Sequence, residues 1–169
     1  GEELTNLVVP EGVTSIGERA FFGCSGLTSI TLSLSLTSIG NSAFEYCSGL
    51  TSIDLSNCTS LTSIGDSAFE FCSGLTEVDL SNCTNLTSIG GAAFSGCSGL
   101  TSIDLSNCTN LTSIEGVAFY GCSGLTSVTI NQYVFENVTS TSSSYGYILC
   151  YIDKSGETVL VPANLIDDL

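Results

Sequence analysis

One 25-residue segment, LTEVDLSNCTNLTSIGGAAFSGCSG from Leu75 to Gly99, recurs through most of this chain. Near-copies run from Leu50 to Gly74 and from Leu100 to Gly124, and shorter ones from Leu27 to Gly49 and from Leu4 to Gly26. Five units thus follow one another at 23, 23, 25, 25 and 25 residues, and a sixth opens at Leu125. Self-similarity at this period dictates stacking: each unit is too small to bury its own apolar face and must bury it against its neighbours. Such a chain displays an extended surface and spreads its core along an axis. A single deep pocket is not what it builds.

Within the unit, Leu75, Val78, Leu80, Cys83 and Leu86 follow L-x-x-L-x-L-x-x-C-x-x-L, the strand-and-turn pattern of leucine-rich repeats. Val78 and Leu80 alternate with Asp79 and Ser81, which predicts a half-buried strand. Stacked copies then form a parallel sheet of six strands, opening at Leu4, Leu27, Leu50, Leu75, Leu100 and Leu125, with right-handed connections. In the second half of the unit, Leu86, Ile89, Ala93 and Phe94 should point inward. Thr-Ser-Ile there is long enough for a short second strand, and Ala-Phe-x-x-Cys for one helical or 3₁₀ turn. Gly26, Gly49, Gly74, Gly99 and Gly124 are expected to supply positive φ where each unit ends. In the first unit Pro10-Glu11-Gly12 replaces the longer Ser-Asn-Cys-Thr-Asn turn of later ones.

The run L-x-x-I-x-I-P-x-x-V-x-x-I-G-x-x-A-F-x-x-C resembles the BspA-like leucine-rich repeats of bacterial surface and secreted proteins. Leu4, Leu7, Val9, Pro10, Val13, Ile16, Gly17, Ala20, Phe21 and Cys24 carry the match in one unit. A-F-x-x-C recurs at Phe21, Phe44, Phe69, Phe94 and Phe119, and the resemblance covers residues 4 to about 130. It implies adhesion to proteins of a host or a neighbouring cell, and an extracellular or cell-surface location. Gly1 in place of an initiator Met leads us to expect that a signal peptide has been removed.

Composition narrows the partners. Seventeen acidic residues against two basic ones give a net charge of −15, so nucleic-acid binding and attraction to an anionic membrane are both disfavoured. No apolar run approaches the roughly 20 residues needed to span a bilayer as a helix. The chain has no His, which removes the usual general base and metal ligand. No S-x-x-K or phosphate-binding glycine loop is present, and nothing activates the abundant serines. We therefore expect no enzyme activity and no cofactor.

The nine cysteines fall into columns: Cys24, Cys47, Cys72, Cys97 and Cys122 in one, Cys58, Cys83 and Cys108 in another, with Cys150 apart. Neighbours in a column should stand about 4.8 Å apart, but parallel side-chain vectors give a poor S–S torsion. A straight file cannot converge on zinc. Core packing as small apolar side chains is the preferred reading over disulfides or metal binding. Asn57, Asn82, Asn85, Asn107, Asn110 and Asn137 lie in N-x-[ST] sequons and are read as turn formers bonding the backbone.

The outward strand face carries the candidate binding residues. Thr31, Asp54, Asp79, Asp104 and Thr129 form one file, and Ser29, Ser52, Glu77, Ser102 and Ser127 the next. Adjacent aspartates repel by roughly 1 kcal/mol per pair even at water's dielectric. A cation or a basic partner loop would relieve that repulsion; a screened, solvated face copied by duplication is the plainer reading. The candidate site is Ser52, Asp54, Glu77, Asp79, Ser102 and Asp104.

Two segments divide the chain: residues 1–130 of repeats and residues 131–169 of C-terminal cap. In the cap, Asn131 to Ser144 reads as a loop, Tyr145 to Asp153 and Glu157 to Val161 as a β-hairpin, and Pro162 to Leu169 as the start of a helix. Tyr133, Phe135, Tyr147 and Tyr151 are read as its apolar cover. The fold class is a repeat solenoid, α/β by convention and mostly β here. Its expected role is recognition or adhesion toward a protein or glycan ligand, acting as a monomer. A structural spacer or stalk within a larger surface protein is the alternative.

Overall fold

The computed structural model describes residues 5–130, 147–152 and 158–162. Each unit contributes two short strands. The first series is β1 (Asn6–Val8), β3 (Ser29–Thr31), β5 (Ser52–Asp54), β7 (Glu77–Asp79), β9 (Ser102–Leu105) and β11 (Ser127–Ile130). The second is β2 (Ser15–Ile16), β4 (Ser38–Ile39), β6 (Ser63–Ile64), β8 (Ser88–Ile89) and β10 (Ser113–Ile114). The second series forms one continuous parallel sheet in the order β10-β8-β6-β4-β2, so the Thr-Ser-Ile strand is real. The first series ladders in pairs, β1 with β3, β5 with β7 and β9 with β11, all parallel.

The core is a set of columns along the stacking axis. All nine positions assigned to the coil in the 75–99 unit are buried: Leu75, Val78, Leu80, Cys83, Leu86, Ile89, Ala93, Phe94 and Cys97. The inner phenylalanines stack ring on ring, Phe21–Phe44 at 5.2 Å, Phe44–Phe69 at 5.2 Å, Phe69–Phe94 at 5.3 Å and Phe94–Phe119 at 5.4 Å. Near-parallel rings at this spacing add about 0.5–1.5 kcal/mol per pair beyond their burial. A threonine spine runs along the outside. Thr62, Thr87 and Thr112 each donate Oγ1–H to the carbonyl of the threonine one unit back, at 2.9, 2.9 and 3.1 Å.

The Ala-Phe segment forms no helix; among the described residues it is a series of turns, each closed by an N–H to the carbonyl three residues back, as from Ala43 to Gly40 at 3.3 Å and from Cys47 to Phe44 at 3.0 Å. Its backbone is left-handed at two places four residues apart: Arg19 and Gly23, Ser42 and Tyr46, Ser67 and Phe71, Ala92 and Gly96, Val117 and Gly121. Positive φ is therefore not the property of Gly26, Gly49, Gly74, Gly99 and Gly124. Four of these glycines are required for a different reason. A Cβ on Gly49, Gly74, Gly99 or Gly124 would lie 2.3, 2.4, 2.9 or 2.7 Å from a serine carbonyl oxygen of the unit before. Only a residue without a side chain lets one coil seat this closely on the last.

At the C-terminal end β12 (Tyr147–Ile152) and β13 (Thr158–Pro162) pair antiparallel, and β13 also pairs antiparallel with β11. The expected hairpin is present and continues the sheet of β9 and β11. The 131–144 loop, residues 153–157 between the two strands, the 163–169 segment and the side chains of Tyr133, Phe135, Tyr147 and Tyr151 lie outside the described residues.

Candidate functional site

Alternation along β5, β7 and β9 puts Ile53, Val78 and Ile103 inside and leaves Ser52, Asp54, Glu77, Ser102 and Asp104 exposed and Asp79 half-buried. Strand pairing places Ser52 opposite Glu77 and Asp54 opposite Asp79. Asp104 is opposite Thr129, and Ser102 opposite Ser127. The six candidates thus share one face in the register that the repeat length dictates. Strands β7 and β9 adjoin without laddering, so of the three aspartates only Asp54 and Asp79 face each other across a hydrogen-bonded strand pair.

Each aspartate also has a local partner. Asp54 Oδ1 accepts from the Ser56 N–H at 2.9 Å and from its hydroxyl at 2.5 Å. Asp79 Oδ1 accepts from the Ser81 N–H at 2.9 Å, and Asp104 Oδ1 from the Ser106 N–H at 2.8 Å. These are Asx turns, in which the carboxylate closes the chain two residues on. The repeated Asp-Leu-Ser carried this signal in the sequence, where the aspartates read only as surface. Repulsion along the file is offset by these bonds, so the fold does not itself demand a compensating cation. Among the described residues no group of three or more Cys, Asp or Glu is placed to hold a metal ion.

The 23- and 25-residue units meet between β3 and β5, and that junction is a step. Unit two turns through Ser33-Leu34-Ser35, and unit three through the longer Ser56-Asn57-Cys58-Thr59-Ser60. The two strands adjoin without laddering, and Thr51 N–H reaches Thr28 O at 3.4 Å where most equivalents span 2.7–3.0 Å. A small cleft opens at the step, lined by Glu11, Thr31, Leu34, Asp54 and Asn57. On its short-unit side Glu11 Oε2 accepts from the Leu34 N–H at 3.3 Å. The sequence showed the change in unit length but not that the face would be notched there.

The cysteine columns are structural. Cys47, Cys58, Cys72, Cys83, Cys97, Cys108 and Cys122 are buried free thiols. Cys47, Cys72, Cys97 and Cys122 donate S–H to the carbonyls of Phe21, Phe44, Phe69 and Phe94 at 3.1, 3.1, 3.1 and 3.0 Å. Burial pushes their ionisation up, to about 11 at Cys47 and Cys122 and about 12 at Cys83 and Cys108. A thiol held protonated this firmly is neither a nucleophile nor a ready metal ligand. Asn85, Asn107 and Asn110 likewise serve the stack, each donating Nδ2–H to a carbonyl one unit back at 2.8, 2.9 and 2.8 Å.

The BspA type leucine rich repeat region matches this chain in six copies, over residues 1–126 and 62–148. Among solved structures, a leucine-rich repeat protein of T. pallidum is similar at 25% identity and a TM-score of 0.59, over 77% of this chain and 70% of that one. A leucine-rich repeat protein of Bacteroides ovatus is similar at 23% identity with a TM-score of 0.43, over 77% of this chain and 44% of that one. A leucine rich cell surface protein of Faecalibacterium prausnitzii is similar at 19% identity with a TM-score of 0.32, over 84% of this chain and 64% of that one. No curated protein matches the chain.

Proposed function

Because this chain belongs to the BspA-type leucine-rich repeat family, whose repeat domains are generally non-enzymatic scaffolds of surface type, we propose that it is a non-catalytic recognition module outside the cell. Its ligand is a protein or a glycan, met by the face of Ser52, Asp54, Glu77, Asp79, Ser102 and Asp104. The observation that carries this reading is the in-register array of polar side chains on a wall fixed by buried columns. Such a surface meets a ligand already ordered, so little side-chain freedom is lost on binding. The absence of His and the firmly protonated thiols favour recognition over catalysis.

A spacer is the second reading. It is favoured by the aspartate Oδ1 atoms, which are engaged inside their own units. The test is surface plasmon resonance of the chain against extracellular-matrix proteins and a glycan array. The comparison variant is Asp54→Asn/Glu77→Gln/Asp79→Asn/Asp104→Asn. Asparagine keeps the Oδ1 acceptor of the Asx turn and removes only charge, so the fold is not the variable. Recognition predicts a ligand whose affinity falls at least tenfold in the variant; equal binding of every hit removes this face from the account.

A further inference from the structure

A second surface lies away from the strand face, on the turns that follow each inner phenylalanine. Phe22, Tyr46 and Phe71 are 38%, 45% and 42% exposed, yet they form a single row. The Phe22 ring meets Tyr46 edge-on at 5.6 Å, and Tyr46 stacks on Phe71 at 5.0 Å. Phe71 in turn covers Gly96, where a Cβ would lie 2.5 Å from its Cδ1. At the other end the Arg19 guanidinium sits over Phe22, 4.2 Å from the ring centre. The row therefore crosses four units.

The backbone marks this row as more than packing. Gly23, Tyr46, Phe71, Gly96 and Gly121 are equivalent positions, and all have positive φ, 62° at Tyr46 and 57° at Phe71. Glycine is the natural occupant of that conformation, and a bulky aromatic there is an outlier. Three units use glycine, so the coil does not need the rings. A strained backbone that holds exposed aromatics side by side points to use at the surface.

Alongside the row stand carboxylates. Glu45 and Glu70 occupy the preceding position in their turns, and the ladder registers them against it: Gly23 N–H donates to Glu45 O at 2.8 Å and Tyr46 N–H to Glu70 O at 2.8 Å. We propose that this row is a docking surface for a Lys/Arg-rich segment of a protein partner, with the apolar stems of its side chains lying along the exposed ring edges and their cationic heads held by Glu45 and Glu70. Charge selects the occupant. A chain at −15 draws a cationic partner and repels both a second copy of itself and an anionic lipid surface. Geometry disfavours a saccharide, because Tyr46 and Phe71 turn their faces to each other. Arg19 over Phe22 is the chain's own instance of a basic side chain seated on the row, and it fills that ring face.

The surface is independent of the strand face, and its test leaves that face intact. Fluorescence anisotropy of a labelled ten-residue peptide of alternating Arg and Ser is measured against wild type and against Tyr46→Gly/Phe71→Gly. That variant restores the residue used in sibling units and keeps the net charge at −15; circular dichroism checks that it folds. The proposal expects affinity to fall at least tenfold, and a like fall in Glu45→Gln/Glu70→Gln. Undiminished binding by the folded glycine variant overturns it, since the peptide is then held by net charge alone. So does saturation of the row by a cello-oligosaccharide, or dimerisation in sedimentation that the glycine variant abolishes, with no loss of peptide affinity.

Discussion

Asp54 shows how one side chain in a repeat can serve two ends. Its Oδ1 closes the turn through Ser56 while the carboxylate stands on the exposed face. Removing the acceptor and removing the charge should then have different effects. Asp54→Ala should cost about 1 kcal/mol for the lost turn bonds, whereas Asp54→Asn should leave stability near wild type; urea denaturation of the pair separates the two. Gly74 is a sharper case. With a serine carbonyl oxygen 2.4 Å from where its Cβ would be, Gly74→Ala must push two units apart and should cost about 1–3 kcal/mol by the same measurement. An unchanged midpoint would mean that the close approach is not real. That these glycines matter was legible from their recurrence. Why they matter was not, since a residue's distance to the unit behind it depends on packing that one unit cannot show.

Strands and inner columns were the most legible elements, because alternation of apolar and polar residues fixes which side chains are buried whatever the turn between them does. The Ala-Phe turn was less so. Its left-handed residues include Arg19, Ser42, Tyr46, Ser67, Phe71, Ala92 and Val117, types that do not ordinarily signal positive φ. They are held there by neighbouring coils, through bonds such as Ser42 N–H to Asp66 O and Ser67 N–H to Gly91 O, both 2.8 Å. The column beneath ties these elements together. Phe69→Ala, in the middle of the ring stack, should cost about 3–5 kcal/mol. Because each unit contacts only its neighbours, hydrogen exchange should quicken most in the units around residue 69. A uniform increase along the chain would show instead that the stack behaves as one cooperative block.

Over the whole molecule, interior and exterior are chemically separate. The interior holds protonated thiols, with burial raising Cys47 and Cys122 from 9.0 to about 11 and Cys83 and Cys108 to about 12. A group with its folded pKa raised binds its proton more tightly when folded, so its contribution is fully present below the unfolded value. It is lost as pH climbs through the window to the folded one. The melting temperature should therefore hold steady from pH 6 to about 8.5 and fall between about 9 and 12; a flat profile to pH 11 would contradict the burial of these columns. The exterior is what the coil displays, and the account stands on its being dispensable for the fold. The most direct test is the melting temperature of one variant, Ser52→Ala/Asp54→Asn/Glu77→Gln/Asp79→Asn/Ser102→Ala/Asp104→Asn. Relief of four negative charges with the Asx acceptors retained predicts a melting temperature equal to wild type or higher. A fall of about 5 °C or more, equivalent to over 1 kcal/mol at this chain length, would mean that the displayed residues build the solenoid and are not free to serve a partner.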